Sequence, residues 1–339
     1  MATPTQATPG RTPEVAPDPI FQLATGFMSA KHLFVANEIG LFEKLSDGPA
    51  TLDELAQRVG LPRRTTRIVA DAMTALGLAQ RNGERYENSP LAALYLSRRP
   101  VHDLRPFLRF WNRISYQRWA TLEDAVRQGK GVLGMLQFTP GEQKIFSEGV
   151  EAFSAGTARA LPNAYDFSGH RRLVDLGGGT GSFLRALLAK YPRLECTLYE
   201  FPAAAAVARK HLAGTAFAEK IRIVEGDFLR DAIPEGNDVF LMANVVHVLS
   251  PSRNLDLLRR IRQHATQGAR LLIADLWTNP THTEPPFAAL MAGEFLIMTG
   301  DGDVYSVDEA RAWFDQTGWR FVEHKPITGP ISLVIAEAA

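Results

Sequence analysis

Hydrophobic positions along the first hundred residues recur at intervals of three and four, the signature of amphipathic helices. Phe21, Leu23, Ala24 and Phe27 open one such pattern, which continues from His32 to Phe42, and further helices are predicted over Thr51–Val59 and Arg63–Leu76. Thr51 followed by Glu54 reads as a capping box, and Gly60 with Pro62 separates the two short helices by a turn. That spacing is a helix-turn-helix. Beyond Leu78 the chain reads Ala79-Gln80-Arg81-Asn82-Gly83-Glu84-Arg85-Tyr86, in which Asn82-Gly83 predicts a two-residue turn between short strands. Helix-turn-helix plus hairpin predicts a winged helix.

From Leu104 to Ala160 the pattern stays helical but carries Phe107, Phe110, Trp111, Tyr116 and Trp119, a core or pocket wall rich in aromatic rings. From Arg172 onward strands alternate with helices. Short, nearly all-apolar runs at 173–176, 196–199, 221–224, 239–242, 271–274, 321–323 and 331–335 predict strands buried on both faces, as in a parallel sheet. The expected organisation is a flexible tail over 1–16, a winged-helix domain over 17–103, a helical connector over 104–165 and an α/β domain over 166–339 with a mostly parallel seven-stranded sheet.

Charge and composition narrow the function. The 339 residues are 45% hydrophobic, and Lys+Arg equals Asp+Glu at 37 each, so bulk charge attracts neither nucleic acid nor an anionic membrane. No apolar run approaches the roughly 18 residues a membrane span needs, and MATPTQATPG lacks the pattern of a secretory leader, so a cytoplasmic protein is expected. The single cysteine, Cys196, excludes an internal disulfide and a Cys-rich zinc site. Arg63, Arg64 and Arg67 open the would-be recognition helix, yet Thr51–Pro100 holds eight basic against five acidic side chains, too few for strong phosphate binding. The upstream helix, apolar on more than one face, fits a twofold dimer better.

The most specific signal is Leu173-Val174-Asp175-Leu176-Gly177-Gly178-Gly179-Thr180-Gly181, a strand running into a glycine loop and then a helix over Ser182–Lys190. Glycines let the backbone turn sharply and let a ligand approach the main chain. The loop lacks the Gly-Lys-Ser/Thr ending of a nucleoside-triphosphate loop, and Asp175 suits an ammonium group better than a pyrophosphate. Nineteen residues past Gly181, Glu200 in Tyr199-Glu200-Phe201-Pro202 ends the second strand, where a carboxylate accepts both ribose hydroxyls. Gly226-Asp227-Phe228 follows the third strand, with Asp227 suited to an adenine amino group and Phe228 to the ring. Singly, each acid reads equally well as solvated surface. Three on successive strands of one sheet point to one ligand.

With these motifs the chain resembles the S-adenosylmethionine-dependent small-molecule O-methyltransferases, the family of plant caffeate-type and bacterial polyketide-tailoring enzymes. The resemblance runs from about Pro19 to the C-terminus and is carried by LVDLGGGTGSFL, YEFP, GDF and RWATLEDAVRQGK. It implies a Rossmann-like class I methyltransferase domain and an N-terminal winged helix used for homodimerisation. The cofactor would be S-adenosyl-L-methionine, leaving as S-adenosyl-L-homocysteine. Asp175, Gly177 and Gly179 would line its methionine end, with Ser154 reaching the amino-acid moiety, Glu200 the ribose, and Asp227 with Phe228 the adenine; Phe201, Gly226 and Asn244 are further expected cofactor-binding residues.

His247 lies beyond the fourth strand, at the carboxyl edge where ligands of such sheets bind. A lone histidine is more often structural, but the resemblance makes it the general base that deprotonates an acceptor hydroxyl, oriented by Asp275, where the family has Glu. The family's second carboxylate position is Val304, with Asp303 beside it, its His-Asp-Trp reads His247-Val248-Leu249, and its lysine four residues earlier is Ala243. Phe153, Phe295, Met298 and Thr299 are expected to form an apolar pocket for a small aromatic or polyketide-like substrate. His282 and Glu284 have no metal-ligand spacing, and no metal is expected. Three alternatives stay open: C- or N-methylation, a cofactor-dependent reaction without methyl transfer, and a winged-helix regulator that senses a metabolite.

Overall fold

The computed structural model describes residues 16–131 and 138–339, so residues 1–15 of the expected tail lie outside the described residues. The chain divides into two units, one ending at Val101 and one running from His102 to Ala339. Among the described residues no helix is long and apolar enough to cross a membrane.

In the first unit one helix spans Asp18–Glu38 and a second spans Leu41–Leu45, broken apart at Gly40, whose φ of 70° only glycine adopts cheaply. The expected run from His32 to Phe42 is therefore interrupted. Ile20, Phe21, Leu23, Phe27 and Met28 are all exposed on the long helix, Leu23 to 84%. A continuous apolar stripe in water marks an association surface. The capping box at Thr51 is present: its side chain accepts from the Glu54 N–H at 3.3 Å while Glu54 Oε2 accepts from the Thr51 N–H at 2.8 Å. Helices follow over Leu52–Val59 and Arg63–Ala75.

Strands β1 (Ala50–Thr51), β2 (Ala79–Asn82) and β3 (Arg85–Asn88) form an antiparallel sheet in the order β1-β3-β2. Asn82 pairs with Arg85, so the turn is Gly83-Glu84, one residue later than Asn82-Gly83, with the left-handed position on Gly83 (φ 60°). Arg63 and Arg67 of the second short helix are ion-paired with Asp53 at 2.6 Å and Asp71 at 2.9 Å.

The second unit is built on β4 (Arg172–Leu176), β5 (Glu195–Glu200), β6 (Ile221–Glu225), β7 (Val239–Ala243), β8 (Arg270–Leu276), β9 (Trp319–Thr328) and β10 (Ile331–Ala338). Their order is β6-β5-β4-β7-β8-β10-β9, parallel from β6 to β8, with β10 antiparallel to both neighbours. All seven runs read from the sequence lie in this sheet. Successive side chains point to opposite faces and both faces are covered, which is why the central runs are apolar throughout. Leu173, Leu198, Leu241 and Leu272 pack on one face with Leu184, Leu187 and Ala208 from the helices Ser182–Lys190 and Pro202–Leu212. Val174, Phe240, Met242 and Leu271 pack on the other with Leu257, Ile261 and Phe314 from Pro251–His264 and Val307–Thr317. Cys196 is one of the buried small residues of β5.

β9 is longer than the expected 321–323. As the edge strand it is largely exposed beyond Trp319 and mixes polar with apolar residues, so its ends carry no apolar run.

The aromatic segment belongs to this second unit. It runs through Arg105–Phe110, a π-helical turn Trp111–Ser115, shorter helices to Gln128, and then the 25-residue helix Pro140–Ala164. That helix meets Arg105–Phe110 at Gly149, where an added Cβ would stand 2.4 Å from Phe110 Cβ. Neither backbone can yield there without moving a helix. We expect Gly149→Ala to lose about 1–3 kcal/mol through overpacking, read as a Tm lower by a few degrees or more; an unchanged Tm would mean the two helices are not held this closely.

Candidate active site

The carboxyl ends of β4 to β8 open onto one cavity of about 640 Å³, within the range of small-molecule sites. β4 is the switch point of the sheet, since its neighbours β5 and β7 carry the chain off in opposite directions. The glycine loop after it turns left-handed at Gly177 (φ 74°), Gly179 (57°) and Gly181 (81°). Gly177 and Gly179 line the cavity. Glu200, buried at the end of β5, accepts the Gly179 N–H on Oε2 at 3.0 Å and its neighbour Phe201's N–H on Oε1 at 2.9 Å. It is therefore fixed in place with lone pairs to spare. Burial pushes its pKa up, and those two N–H groups pull the other way.

Phe201 and Phe228, 5.7 Å apart between ring centroids, stand on the cavity wall with Asp227, whose Oδ1 accepts the Leu229 N–H at 2.9 Å. Asn244, just past β7, also lines it and donates to Ser154 Oγ at 3.0 Å from the helix Pro140–Ala164. Its φ of 58° is left-handed, a strained conformation for a residue other than glycine.

Two expected cofactor residues are not on the wall. Asp175 is fully buried beneath the loop, where an added Cβ on Gly178 would meet its Oδ2 at 2.4 Å, and neither carboxylate oxygen has a partner among the described residues. The expectation from sequence places it at the ligand's methionine end; here it lies beneath the cavity wall. Burial, and then the charge of Glu200, push it up to about 8. Gly226 is likewise withdrawn from the cavity, and an added Cβ there would lie 2.6 Å from Tyr199 Oη. Its smallness admits the tyrosine.

At the other end of the cavity, His247 sits on a single helical turn, Val246–Val248, and is 8% exposed. Its Nδ1 lies 2.5 Å from Asp275 Oδ1. Asp275, behind the wall on β8, also accepts the Val246 N–H at 3.1 Å and the Leu276 N–H at 2.7 Å. In a neutral imidazole, an acceptor-only carboxylate on Nδ1 places the proton there and the lone pair on Nε2. The Phe295 ring stacks on the imidazole at 3.8 Å and 14°. Asp303 touches His247 only through its backbone, N–H to the His247 carbonyl at 3.1 Å, while its carboxylate accepts the Val304 N–H. Val304 is buried and apolar.

Phe153, Phe295, Met298 and Thr299 all line the cavity, joined by Phe107 and Trp111. Phe107 stacks on Phe153 at 5.6 Å and 17°, a flat apolar wall. The Thr299 hydroxyl is occupied within the chain, donating to the Phe295 carbonyl and accepting the Gly302 N–H. His282 is 3.1 Å from Glu309.

Among the lining residues not singled out from the sequence are Glu151, Arg253 and Glu294. Glu151 accepts from Thr180 and Arg185, tying the long helix to the glycine loop. Arg253 comes from the start of Pro251–His264. Glu294 is the one ionisable residue of the helix Pro286–Thr299, PFAALMAGEFLIMT, an isolation that was readable as a signal. Burial pushes its pKa up, against hydrogen bonds from Ser115 and Trp119 and the charge of Arg118.

Comparisons with known proteins identify the family. The model of the O-methyltransferase domain matches residues 119–320, and that of the O-methyltransferase dimerisation domain matches 21–98. A 3-hydroxy-5-methyl-1-naphthoate 3-O-methyltransferase of Streptomyces sahachiroi is 32% identical over 308 residues, covering 89% of each chain. The N,N-dimethyltransferase OxyT of Streptomyces rimosus is 30% identical, over 89% of this chain and 90% of its own. The crystal structure of human N-acetylserotonin methyltransferase in complex with SAM superposes with a TM-score of 0.88 at 25% identity, over 97% of this chain and 99% of that one. A Rossmann-like sheet with this cleft and a winged-helix unit define a class I methyltransferase architecture. The chain belongs to the family of S-adenosylmethionine-dependent O-methyltransferases.

The buried Asp175 sets a pH dependence. Ionising near 3.8 when unfolded and near 8 when folded, it keeps one extra proton in the native state between those values. Its contribution to stability therefore falls as pH rises through that window and levels off above about 8. Asp175→Asn mimics the protonated form, so the Tm of the variant relative to wild type should climb between about pH 5 and pH 8.5. Parallel Tm curves across that range would remove Asp175 as the source.

Proposed function

We propose that this enzyme methylates a hydroxyl of a small, flat aromatic metabolite, with His247 as general base and Asp275 as its orienting partner, and that it works as a homodimer. The observation that carries the reading is the 2.5 Å contact of His247 Nδ1 with Asp275 on the wall of the same cavity as the glycine loop. When bound, S-adenosylmethionine supplies a methyl group on an electrophilic sulfonium. The residues present fit it. Glu200, anchored by two backbone N–H groups, suits the ribose hydroxyls; Asp227 suits the adenine amino group, with Phe201 and Phe228 beside the ring; and Gly177, Gly179, Ser154 and Asn244 suit the amino-acid end.

His247 Nε2 takes the acceptor's proton as its oxygen attacks. A phenol near pKa 10 holds that proton more tightly than a histidine near 6.5, so the transfer is concerted with attack rather than complete before it. Asp275 fixes the tautomer and stabilises the imidazolium that forms. Phe295 holds the imidazole plane, and Phe153 and Met298 offer apolar area to a planar ring. Positioning supplies the rest of the acceleration, by keeping oxygen, methyl carbon and sulfur in line. The exposed stripe of Asp18–Glu38, together with the dimerisation-domain match, supports the dimer.

Transfer to nitrogen is a second reading. The apolar Val304, where the family has a carboxylate, and the likeness to OxyT favour it, because an uncharged amine needs less help from a base.

Incubation with S-adenosylmethionine and a panel of phenols and arylamines decides between them: the expected product gains one methyl, located on oxygen by a labelled donor. His247→Ala should lower kcat on that acceptor by about 10²-fold or more, with S-adenosylhomocysteine affinity unchanged by calorimetry. A loss below about threefold would end the base assignment. No heat of binding to the cofactor or its product, from folded protein, would overturn the cofactor site itself.

A further inference from the structure

The helix Pro286–Thr299 lends the cavity Phe287, Met291, Glu294 and Met298, which at spacings of four, three and four form one stripe. Three of these are apolar and the fourth is a carboxylate that is 3% exposed. Its Oε2 accepts from Ser115 Oγ at 2.7 Å and from Trp119 Nε1 at 2.6 Å. Its Oε1 has no partner among the described residues. Ser115 is the last residue of the π-helical turn Trp111–Ser115, an irregularity often found at functional sites, and Trp119 lies four residues beyond it.

The charge of buried Arg118 favours a carboxylate here but leaves Oε1 without a hydrogen bond. A neutral acceptor would satisfy Ser115 and Trp119 equally well, whereas a buried carboxylate oxygen without a partner is costly. A ligand group that donates to Oε1 removes that cost. We propose that Glu294 is a specificity-determining residue that accepts a hydrogen bond from a second donor on the acceptor, an N–H or O–H distinct from the group that is methylated. The preferred acceptor class is then a hydroxylated aromatic that carries such a donor, for example a heteroaromatic N–H. This inference rests on the aromatic-acceptor reading above and deepens it.

The substitution Glu294→Gln makes a directional test. Trp119 Nε1 can only donate, so the amide oxygen must face it and the amide NH2 takes the place of Oε1. An acceptor becomes a donor without a change of shape. The probes are the isomeric hydroxyindoles and the matching hydroxybenzofurans, which replace the ring N–H by oxygen. Their binding is measured by calorimetry at about pH 8.5 on protein saturated with S-adenosylhomocysteine.

Wild type should bind at least one hydroxyindole tenfold or more tighter than its benzofuran counterpart. In E294Q that preference should fall below about twofold or reverse, with S-adenosylhomocysteine affinity within twofold of wild type. Discrimination under threefold for every pair in wild type overturns the inference without need of any variant. So does a preference that survives intact in folded E294Q. If no member of either series binds wild type that does bind S-adenosylhomocysteine, the aromatic-acceptor reading fails, and this inference with it.

Discussion

The parallel pairing of β4 with β5 on one side and β7 on the other is the constraint on which the site depends. The chain must leave β4 toward one edge of the sheet and return toward the other, so a cleft opens at the carboxyl end of β4 where no connection covers it. The glycine loop is how the backbone leaves. Its three left-handed residues turn the chain into Ser182–Lys190 within a few positions and leave no Cβ in the mouth of the cleft. The other parallel strands then add polar residues to the wall, Glu200 from β5, Asp227 after β6, and Asn244 and His247 after β7.

Burial gives these similar residue types different work. Glu200 and Asp275 are carboxylates near the ends of β5 and β8, and each accepts two backbone N–H groups. Asp275 adds a third partner, the His247 imidazole, at 2.5 Å. Asp175 has no such donors and sits beside Glu200, so its charge is disfavoured. Glu294 lies between these cases, half satisfied by Ser115 and Trp119 on a wall otherwise made of methionine and phenylalanine.

The aromatic segment and the sheet are parts of one pocket. Phe107 and Trp111 reach the cavity because the segment folds back along Pro140–Ala164, and Glu151 on that helix grips the glycine loop through Thr180. The polar end of the cleft is thus mechanically tied to its apolar end. Substitutions along the contact at Gly149 bear on both.

Much of this was legible in the sequence. All seven strands of the large sheet, the glycine loop with its following helix, the Thr51 capping box and the ring of Glu200, Asp227 and His247 follow from local rules: apolar runs mark strands buried on both faces, glycines mark left-handed turns, and strand ends in such sheets hold ligands. The hairpin turn slipped by one residue, since pairing register is set across strands and not by the dipeptide alone. Which carboxylates face the cavity was settled only by the tertiary structure. Asp175 and Glu200 both stand near strand ends beside ligand-shaped motifs, yet side-chain direction and the neighbours above each strand bury one and present the other. The partnership of Glu294 with Ser115 and Trp119 spans more than 170 residues, and no periodicity within a helix encodes a contact made that far along the chain.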